Sequence, residues 1–300
     1  MERPAEPANA RETVVTDRPF DSTRFFEHFP RFLETDETGS VVDRLNARYL
    51  RLIHSNRHLI EGATVLDLAS HDGRFSFAAL RCGAAHVVGI ENEPDLVQRH
   101  RTNMEYYEVP ADKYEILEGD IFELIQRVAD CDVVFCFGIL YHINHHMLLL
   151  ERIAELDPRA LIIDTNISQL ESAAIELRNP VAGPTIRLGG GLEGYPSRTA
   201  VDAMLSSFGW KYEYIDWNES GLAEQPQMLD YRQGKRVSVV VDCDRQVLPA
   251  NERERAVQLV FENQRDRRSR WLTITETASR FGVTPQALNT WVRKAERSRN

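Results

Sequence analysis

The sequence between residues 63 and 166 alternates short apolar runs, rich in β-branched residues, with longer amphipathic stretches. Such runs favour buried strands, and the stretches between them have helical periodicity. The predicted strands are 63–69, 86–91, 114–120, 131–138 and 160–166, and the predicted helices are 75–82, 93–104, 122–128 and 146–156. Strands that alternate with helices form a parallel sheet covered on both faces, so the sequence predicts an α/β fold with a doubly wound sheet.

The segments on either side of this alternation predict three further parts. Residues 1–20 are expected to be a disordered arm, because they lack apolar periodicity. Residues 21–60 are expected to form a helical lid, since aromatic and aliphatic residues recur there at helical spacing. The α/β domain is expected to span 61–247, and residues 251–300 are expected to form a separate, small all-α module.

The second half of the α/β domain is less regular than the first. Residues 187–197 are predicted to be a glycine-rich loop, and residues 198–208 a helix. Apolar runs at 210–217 and 236–243 are predicted to be two strands that pair antiparallel and close the sheet. The expected sheet is therefore mostly parallel with an antiparallel last strand.

Charge and cysteine content narrow the possible functions. The formal net charge of −10 argues against a chain that binds nucleic acid along its whole length. Residues 251–300, however, hold eleven Arg or Lys against six Asp or Glu, so this end is basic. The four cysteines form no C-x-x-C pair, and no apolar run reaches eighteen residues. These features predict a cytosolic, reducing location with no metal site and no membrane span.

Acidic residues end the first three predicted strands, at Asp67, Glu91 and Asp120. They are expected to meet at the carboxyl edge of the sheet, where doubly wound folds bind ligands. An acid after the second strand suits the two hydroxyls of a ribose. The turn after the first strand has Ala69 and His71 where a dinucleotide-binding loop has glycines, and its carboxylates oppose a phosphate. The pattern favours a ligand with a ribose, a positive charge and no phosphate, which is S-adenosylmethionine.

Four short motifs occur in order: VLDLASHDG, VVGIE, EGDI and FCFGILYHI. Together they resemble the motifs of class I S-adenosylmethionine-dependent methyltransferases. The resemblance implies the Rossmann-like methyltransferase fold and the same cofactor. It implies cofactor-binding roles for Asp67, Ala69, Gly73, Glu91, Asp120 and Ile121.

The motif FGILYHI is similar to the branch of that family that contains the tRNA wobble-uridine carboxymethyltransferase. This resemblance implies that Phe137 and Tyr141 also line the cofactor site. The segment GKRVSVVV, residues 234–241, resembles the last strand of that branch, which implies that Arg236 lies near the substrate. The basic residues that hold a carboxylated cofactor in that enzyme are not evident in residues 22–60, so ordinary S-adenosylmethionine is expected.

Several of these residues also have simpler structural interpretations. His142, which follows the fourth strand, is either a general base that takes a proton from a hydroxyl or the partner in a structural hydrogen bond. Asp67 is alternatively a helix N-cap, and Asp72 is expected to be the local cap. Asp164 is expected only to end the fifth strand.

The stretch LTITETASRFGVTPQALNTWVRK, residues 272–294, resembles the helix-turn-helix of transposases and small regulators. The resemblance implies a second helix that starts at Thr284-Pro285. The face of that helix expected to read bases comprises Gln286, Asn289, Thr290 and Arg293. The local positive charge suits contact with phosphates. The alternative is a three-helix cap that uses the same packing to form a homodimer.

The sequence therefore predicts a methyltransferase that acts on an oxygen or nitrogen nucleophile of a small-molecule metabolite. Catalysis is expected to come mainly from positioning, with proton removal by His142. Two alternatives stay open. One is an enzyme that modifies RNA such as tRNA, with residues 251–300 holding the RNA. The other is a DNA-binding regulator whose methyltransferase-like domain senses S-adenosylmethionine.

Overall fold

The computed structural model describes residues 21–35, 39, 41–179, 192–218, 221–243, 248–263, 269–297 and 299. The predicted disordered arm and the three glycines at 189–191 lie outside these described residues. Each helix within the described ranges is too short or too polar to cross a membrane.

Nine strands are found in the described part of the chain. They are β1 Thr64–Leu68, β2 His86–Glu91, β3 Tyr114–Glu118, β4 Val133–Phe137, β5 Ala160–Asn166, β6 Ile175–Arg178, β7 Glu193–Pro196, β8 Lys211–Tyr214 and β9 Arg236–Asp242. Seven of them form one sheet in the order β3-β2-β1-β4-β5-β9-β8. Strands β1 to β5 pair in parallel, whereas β9 runs antiparallel to both β5 and β8. The predicted Rossmann-like sheet with an antiparallel last strand is confirmed.

The described residues form thirteen α-helices, some of which cover the two faces of this sheet. They are α1 Phe25–His28, α2 Arg31–Glu34, α3 Val42–Arg48, α4 Arg57–Ile60, α5 Arg74–Arg81, α6 Pro94–Tyr106, α7 Ile121–Leu124, α8 His146–Leu156, α9 Arg198–Ser207, α10 Leu229–Arg232, α11 Ala250–Asn263, α12 Arg270–Phe281 and α13 Pro285–Arg297. One core contains Leu66 and Leu68 with α7, α8 and α9, and the other contains Val65 with α1 to α5. Alternate residues of β1 thus enter opposite cores, as expected for a strand buried on both faces.

The N-terminal segment is helical but broken into short helices. The Phe25 ring stacks on Tyr49 at 4.0 Å between centroids, and Phe32 lies 5.3 Å from Phe77 of α5. Phe25, Phe26 and Phe32 are fully buried. The aromatic face of this segment therefore packs against α5 and contributes to the core.

The prediction of a loop at 187–197 is wrong for its last part. Glu193–Pro196 form β7, which pairs antiparallel with β6, Ile175–Arg178. A Cβ added at Gly194 would lie 2.6 Å from the carbonyl oxygen of Ile143, so only glycine permits this approach. Gly194 and Pro196 disguise the strand in the sequence, because it depends on packing against the segment after β4 rather than on β-propensity.

The C-terminal helices α11, α12 and α13 form the predicted all-α module around their own apolar core, which includes Leu288 and Trp291. Gly282 ends α12 in the left-handed conformation, with φ of 66°, and Pro285 begins α13. The helix-turn-helix assignment of this segment stays a prediction, as does binding of nucleic acid by the module.

Candidate active site

The loop after β1 has an unusual backbone. Ala69, His71 and Gly73 all have left-handed φ angles, of 57°, 54° and 83°. An L-residue in this region costs about 1–2 kcal/mol, so the two non-glycine residues require compensation from their surroundings. The loop therefore keeps the backbone shape of a glycine-rich ligand loop, although two of its three glycine positions hold other residues.

Glu91 supplies part of that compensation. Its Oε2 accepts a hydrogen bond from the backbone N–H of His71 at 2.8 Å. Its Oε1 accepts from the N–H groups of Asn92 and Glu93, at 2.9 and 3.1 Å. The carboxylate is buried, and it ties the loop after β1 to the end of β2. Oε2 retains a further lone pair that can accept a hydroxyl proton, whereas the two amides already engage both lone pairs of Oε1.

Asp67 is buried and is not an N-cap. Its carboxylate accepts a hydrogen bond from the Ser76 hydroxyl at 2.6 Å. Burial raises the pKa of Asp67 to about 7, and the negative charges of Glu91 and Asp72 add to this rise, although the hydrogen bond from Ser76 opposes it. The site would therefore gain stability from a positive charge placed beside this carboxyl group.

Asp72 precedes the N-cap position of α5, and its Oδ1 accepts a hydrogen bond from the backbone N–H of Arg74 at 3.3 Å, as a local cap does. Gly73 occupies the N-cap position of α5, and Asp72 receives two hydrogen bonds from the Arg74 guanidinium, at 2.7 and 2.9 Å. Burial alone would raise the pKa of Asp72, but Arg74 holds it well below its usual range. Asp72 is thus a neutralised carboxylate that fixes the start of α5, with a further hydrogen bond from Thr35 at 2.8 Å.

The end of β3 adds a third acid to this edge. Asp120 is exposed and caps α7 by accepting a hydrogen bond from the backbone N–H of Phe122 at 2.7 Å. Ile121 follows it and is buried. The backbone N–H of Gly119 donates to the carbonyl of Glu91 at 2.9 Å, which joins this turn to the end of β2. The predicted cofactor residues after β1, β2 and β3 therefore lie in adjoining turns.

The charges at this edge suit the predicted cofactor. Among the described residues, Asp72 is paired with a guanidinium, whereas Asp67 and Glu91 are hydrogen-bonded only to a hydroxyl and to backbone amides. Buried carboxylates without cationic partners favour a ligand that brings positive charge. The ammonium and sulfonium groups of S-adenosylmethionine provide it, so these residues fit that molecule.

A second group of polar residues follows β4. The ring of Tyr141 lies 3.9 Å from that of His142 and 5.4 Å from that of Tyr195. His142 Nδ1 is 2.8 Å from Oε1 of Glu193, and the Tyr195 hydroxyl donates to Oε2 of Glu193 at 3.0 Å. Phe137 instead packs against Phe75 of α5. The short strand β7 thus brings an acid and a phenol to the predicted base.

Asp164, at the end of β5, is the centre of a buried polar network rather than a simple strand end. It accepts hydrogen bonds from Arg236 Nη2 at 2.7 Å, Arg48 Nη2 at 2.8 Å, the Tyr231 hydroxyl at 3.0 Å and the Ser238 hydroxyl at 2.7 Å. Burial alone would raise the pKa of Asp164, but the two guanidiniums hold it well below its usual range. Arg236 thereby reaches the carboxyl edge of the sheet, because β9 runs antiparallel and begins there.

Arg236 also joins this network to the residues after β4. Its guanidinium carbon lies 6.0 Å from the centre of the Tyr141 ring, and its Nη2 would lie 3.7 Å from a Cβ added at Gly138. Tyr141, His142 and Arg236 therefore occupy one region. The roles predicted for the site residues stay predictions.

Sequence reasoning missed Glu193, Tyr195, Arg48 and Tyr231. Glu193 lies 51 residues from His142 along the chain, and Arg48 lies 116 residues from Asp164. The sequence gives no local signal for either pair. The residues at strand ends were readable from the sequence, but the partners of His142 and Asp164 depend on how β7, α3 and α10 pack on the sheet edge.

Helix α13 docks on the α/β domain through the face expected to read bases. Arg293 donates to Glu151 at 2.8 Å and to Glu155 at 3.3 Å, and both acids belong to α8. Arg297 also pairs with Glu155. Asn289 and Thr290 of the same helix are buried. In this arrangement much of the expected reading face is covered by protein.

Comparison with known proteins identifies the central segment. Residues 65–157 match the protein family described as "Methyltransferase domain". A ribosomal RNA large subunit methyltransferase I from Pseudoalteromonas translucida is 31% identical over 103 residues, which are 34% of this chain and 25% of that protein. The enzyme of the same name from Cronobacter sakazakii is 26% identical over 94 residues, which are 31% of this chain and 22% of that protein. The chain spans about a quarter of the length of these relatives.

One solved structure with a similar arrangement is an S-adenosylmethionine-dependent methyltransferase from Mesorhizobium loti. Its TM-score is 0.48 and its sequence identity is 13%, and the match covers 65% of this chain and 97% of that chain. The N-terminal domain of EvdMO1, solved in the presence of SAH and D-fucose, has a TM-score of 0.48 and 20% identity over 66% of this chain and 80% of that chain. The family match covers β1 to β4 and the loop after β1. This segment is therefore similar to methyltransferase domains, in line with the family that the sequence motifs resemble.

Proposed function

We propose that the protein transfers a methyl group from S-adenosylmethionine to an oxygen or nitrogen nucleophile of a small molecule. The main support for this proposal is that the carboxyl edge of the sheet holds two distinct groups of polar residues. Buried acids without cationic partners follow β1 and β2, and a histidine paired with a glutamate follows β4, the neighbour of β1. The first group suits a cationic donor, and the second suits removal of a proton from an acceptor.

Each residue of the first group has a proposed role. Asp67 would balance the ammonium of the donor, Glu91 would accept a ribose hydroxyl, and Asp120 would accept from the adenine amine. The backbone at Ala69 and Gly73 would approach the amino-acid end of the donor. The remaining lining residues would be Ile121, Phe137 and Tyr141. The bound donor supplies an electrophilic methyl group on a sulfonium.

The region after β4 supports a small acceptor. Strand β7 packs closely on the segment that contains His142, and Tyr195 covers Tyr141 from that side. Arg236 is tied to Asp164, which limits its reach and favours a fixed contact with the acceptor. A pocket bounded by these groups would surround a metabolite more readily than a folded polynucleotide.

RNA methylation is the second candidate. It is supported by the relatives described above, whose names are those of ribosomal RNA methyltransferases, at limited coverage. The similarity of FGILYHI to the tRNA-modifying branch points in the same direction. The basic C-terminal module would then hold RNA through residues outside the covered face of α13. A regulator that reads DNA has less support, because Asn289 and Thr290 are buried in this arrangement.

The deciding experiment combines binding and transfer. Isothermal titration of S-adenosylmethionine and of S-adenosylhomocysteine into the full chain tests the pocket, and we expect both to bind. The chain is then incubated with donor labelled in the methyl group, with either a set of small hydroxyl and amine compounds or total RNA. Label in a small molecule supports the proposal, label in RNA favours the second candidate, and absence of donor binding contradicts both.

A further inference from the structure

We propose that Glu193 is a positioning residue that holds His142 as the base for the acceptor proton, with Nδ1 protonated and Nε2 directed to the acceptor. This inference rests on the proposed function and deepens it. The main support for it is the 2.8 Å hydrogen bond between His142 Nδ1 and Glu193 Oε1. Among the described residues, the hydrogen bond of the His142 ring is made by Nδ1.

The carboxylate of Glu193 determines which nitrogen carries the proton. A carboxylate is only an acceptor, so the Nδ1 that faces it must donate. In the neutral imidazole the other nitrogen, Nε2, then has its lone pair free. This is the form that a general base needs.

Glu193 is itself held in place from the opposite side. Its side chain is 4% exposed, and its second oxygen, Oε2, accepts the Tyr195 hydroxyl at 3.0 Å. Burial raises the pKa of Tyr195 to about 12, so this phenol stays protonated and remains a donor. The Arg178 guanidinium covers the Tyr195 ring at 4.0 Å from its centre. With both oxygens engaged, the carboxylate cannot rotate away from His142 without losing a hydrogen bond.

Burial favours the neutral form of His142 before reaction, because it lowers the pKa of the ring. The facing groups are Glu193 and Tyr195 of β7, Tyr141 of its own segment and Arg236 of β9. Burial lowers the pKa of His142, Arg236 lowers it further, and Glu193 opposes both. The imidazole is therefore free to accept a proton at neutral pH, and Glu193 stabilises the imidazolium that results.

The proposed step is balanced in atoms and charge. The acceptor oxygen or nitrogen forms a bond to the methyl carbon, and the electron pair of the carbon–sulfur bond leaves with sulfur as a neutral thioether. The acceptor proton passes to Nε2 of His142. The positive charge thus moves from the sulfonium to an imidazolium beside the Glu193 carboxylate.

The test reads the tautomer and the pKa of His142 directly, without donor or acceptor. The full chain is labelled with 15N-histidine, and two-bond 1H–15N spectra are recorded across pH, with His142→Gln used to assign the signal. In the wild type we expect the neutral ring to be protonated at Nδ1. Glu193→Gln retains an acceptor but loses the charge, so we expect the same tautomer with a lower pKa. Glu105→Gln, the same substitution at an exposed acid of α6, is the matched control and should keep both the tautomer and the pKa of His142.

Three outcomes would overturn the inference. They are an Nε2-protonated ring in the wild type, an unchanged pKa in Glu193→Gln, and an unchanged tautomer in a folded Glu193→Ala. A residue with only a structural role would alter the melting temperature of these variants but not the protonation of His142. If Glu193→Ala does not fold, the pKa of His142 measured in Glu193→Gln decides whether the inference holds.

Calorimetric titration of S-adenosylmethionine into the same samples separates the two proposals. Donor binding with the wrong tautomer overturns the role of Glu193 and leaves the proposed function intact. The expected tautomer without donor binding overturns the proposed function, and the role of Glu193 in methyl transfer falls with it. Donor binding with the expected tautomer supports both.

Discussion

Glu91 accepts a hydrogen bond from the backbone of His71 at 2.8 Å, and this contact joins the first two turns of the candidate cofactor site. We predict that Glu91→Ala weakens S-adenosylmethionine binding at least tenfold, because hydrogen bonds to charged groups contribute about 1.5–3 kcal/mol. Two effects contribute to this loss: the missing ribose acceptor and the released loop. Isothermal titration measures the affinity.

Glu91→Gln separates those two effects. It keeps a carbonyl that can accept from His71, so we expect the loop to hold while donor affinity still falls. Asp95→Asn, an exposed acid at the start of α6, is the matched control and should bind the donor as the wild type does. Equal affinities in all three variants would remove Glu91 from the cofactor site.

Asp67 makes stability depend on pH. Its pKa rises from an ordinary value of 3.8 to about 7 in the folded chain, so the neutral carboxyl favours the folded state. The contribution of this carboxyl group to the unfolding free energy is fully present below pH 3.8 and is lost as the pH rises through about 7. Relative to Asp67→Asn, we expect the unfolding free energy of the wild type to be about 2 kcal/mol lower at pH 8 than at pH 5. Urea unfolding at the two pH values measures the difference.

The same carboxyl should couple donor binding to proton release. A cationic donor favours ionised Asp67, so at pH 6 binding should expel a proton, and affinity should increase towards pH 8. Titrations in buffers of different ionisation enthalpy count the protons. Asp67→Asn should abolish the release. Proton release that persists in this variant would assign the coupling to another group.

The sequence predicted the elements whose signal is local. The runs at 86–91 and 160–166 became β2 and β5 with those bounds, because β-branched apolar residues and burial on both faces act together there. Strand β7 was missed, since the sequence EGYP gains its conformation from the approach of Gly194 to Ile143. The acids of the site were found at strand ends, but Glu193 was not, because its pairing with His142 exists only in three dimensions.

His142 should affect turnover but not donor binding. We predict that His142→Ala lowers kcat about 10²–10⁴-fold once an acceptor is in hand, the range for loss of a general base. Activity of the wild type should fall as the pH falls through the pKa of His142, which burial lowers below its ordinary value. His145→Ala, an exposed neighbour, is the control. Wild-type turnover by His142→Ala would exclude this residue as the base.

Asp164 should be essential for stability. Asp164→Asn leaves the Arg236 and Arg48 guanidiniums buried without their carboxylate, so we expect a loss of about 3–5 kcal/mol in unfolding free energy. Because the pKa of Asp164 is held below its usual range, the stabilisation exists at neutral pH and is lost only in strong acid. Ser238→Ala removes one hydrogen bond and should cost about 1 kcal/mol. Equal melting temperatures for the two variants would contradict the central position of Asp164.

Glu155 of α8 should fasten the C-terminal module to the α/β domain. Its side chain is 1% exposed and accepts from Arg293 of α13 and Arg152 of its own helix, at 3.3 and 3.1 Å. Its three cations, Arg152, Arg293 and Arg297, are all partly exposed, so we expect Glu155→Gln to cost only about 1–3 kcal/mol, less in high salt. Glu262→Gln, an exposed acid of α11, is the control.

The contact between Glu155 of α8 and Arg293 of α13 also allows a test of nucleic-acid binding. If α13 binds duplex DNA through its covered face, that face must first leave α8, so Glu155→Gln should bind DNA more tightly than the wild type. If the module instead holds RNA through other residues, or only caps the domain, the variant should lose stability without gaining affinity for DNA. Fluorescence anisotropy with a labelled duplex, at matched salt, distinguishes these cases. We expect no gain, because Asn289 and Thr290 are buried in this packing and would need solvent exposure to read bases.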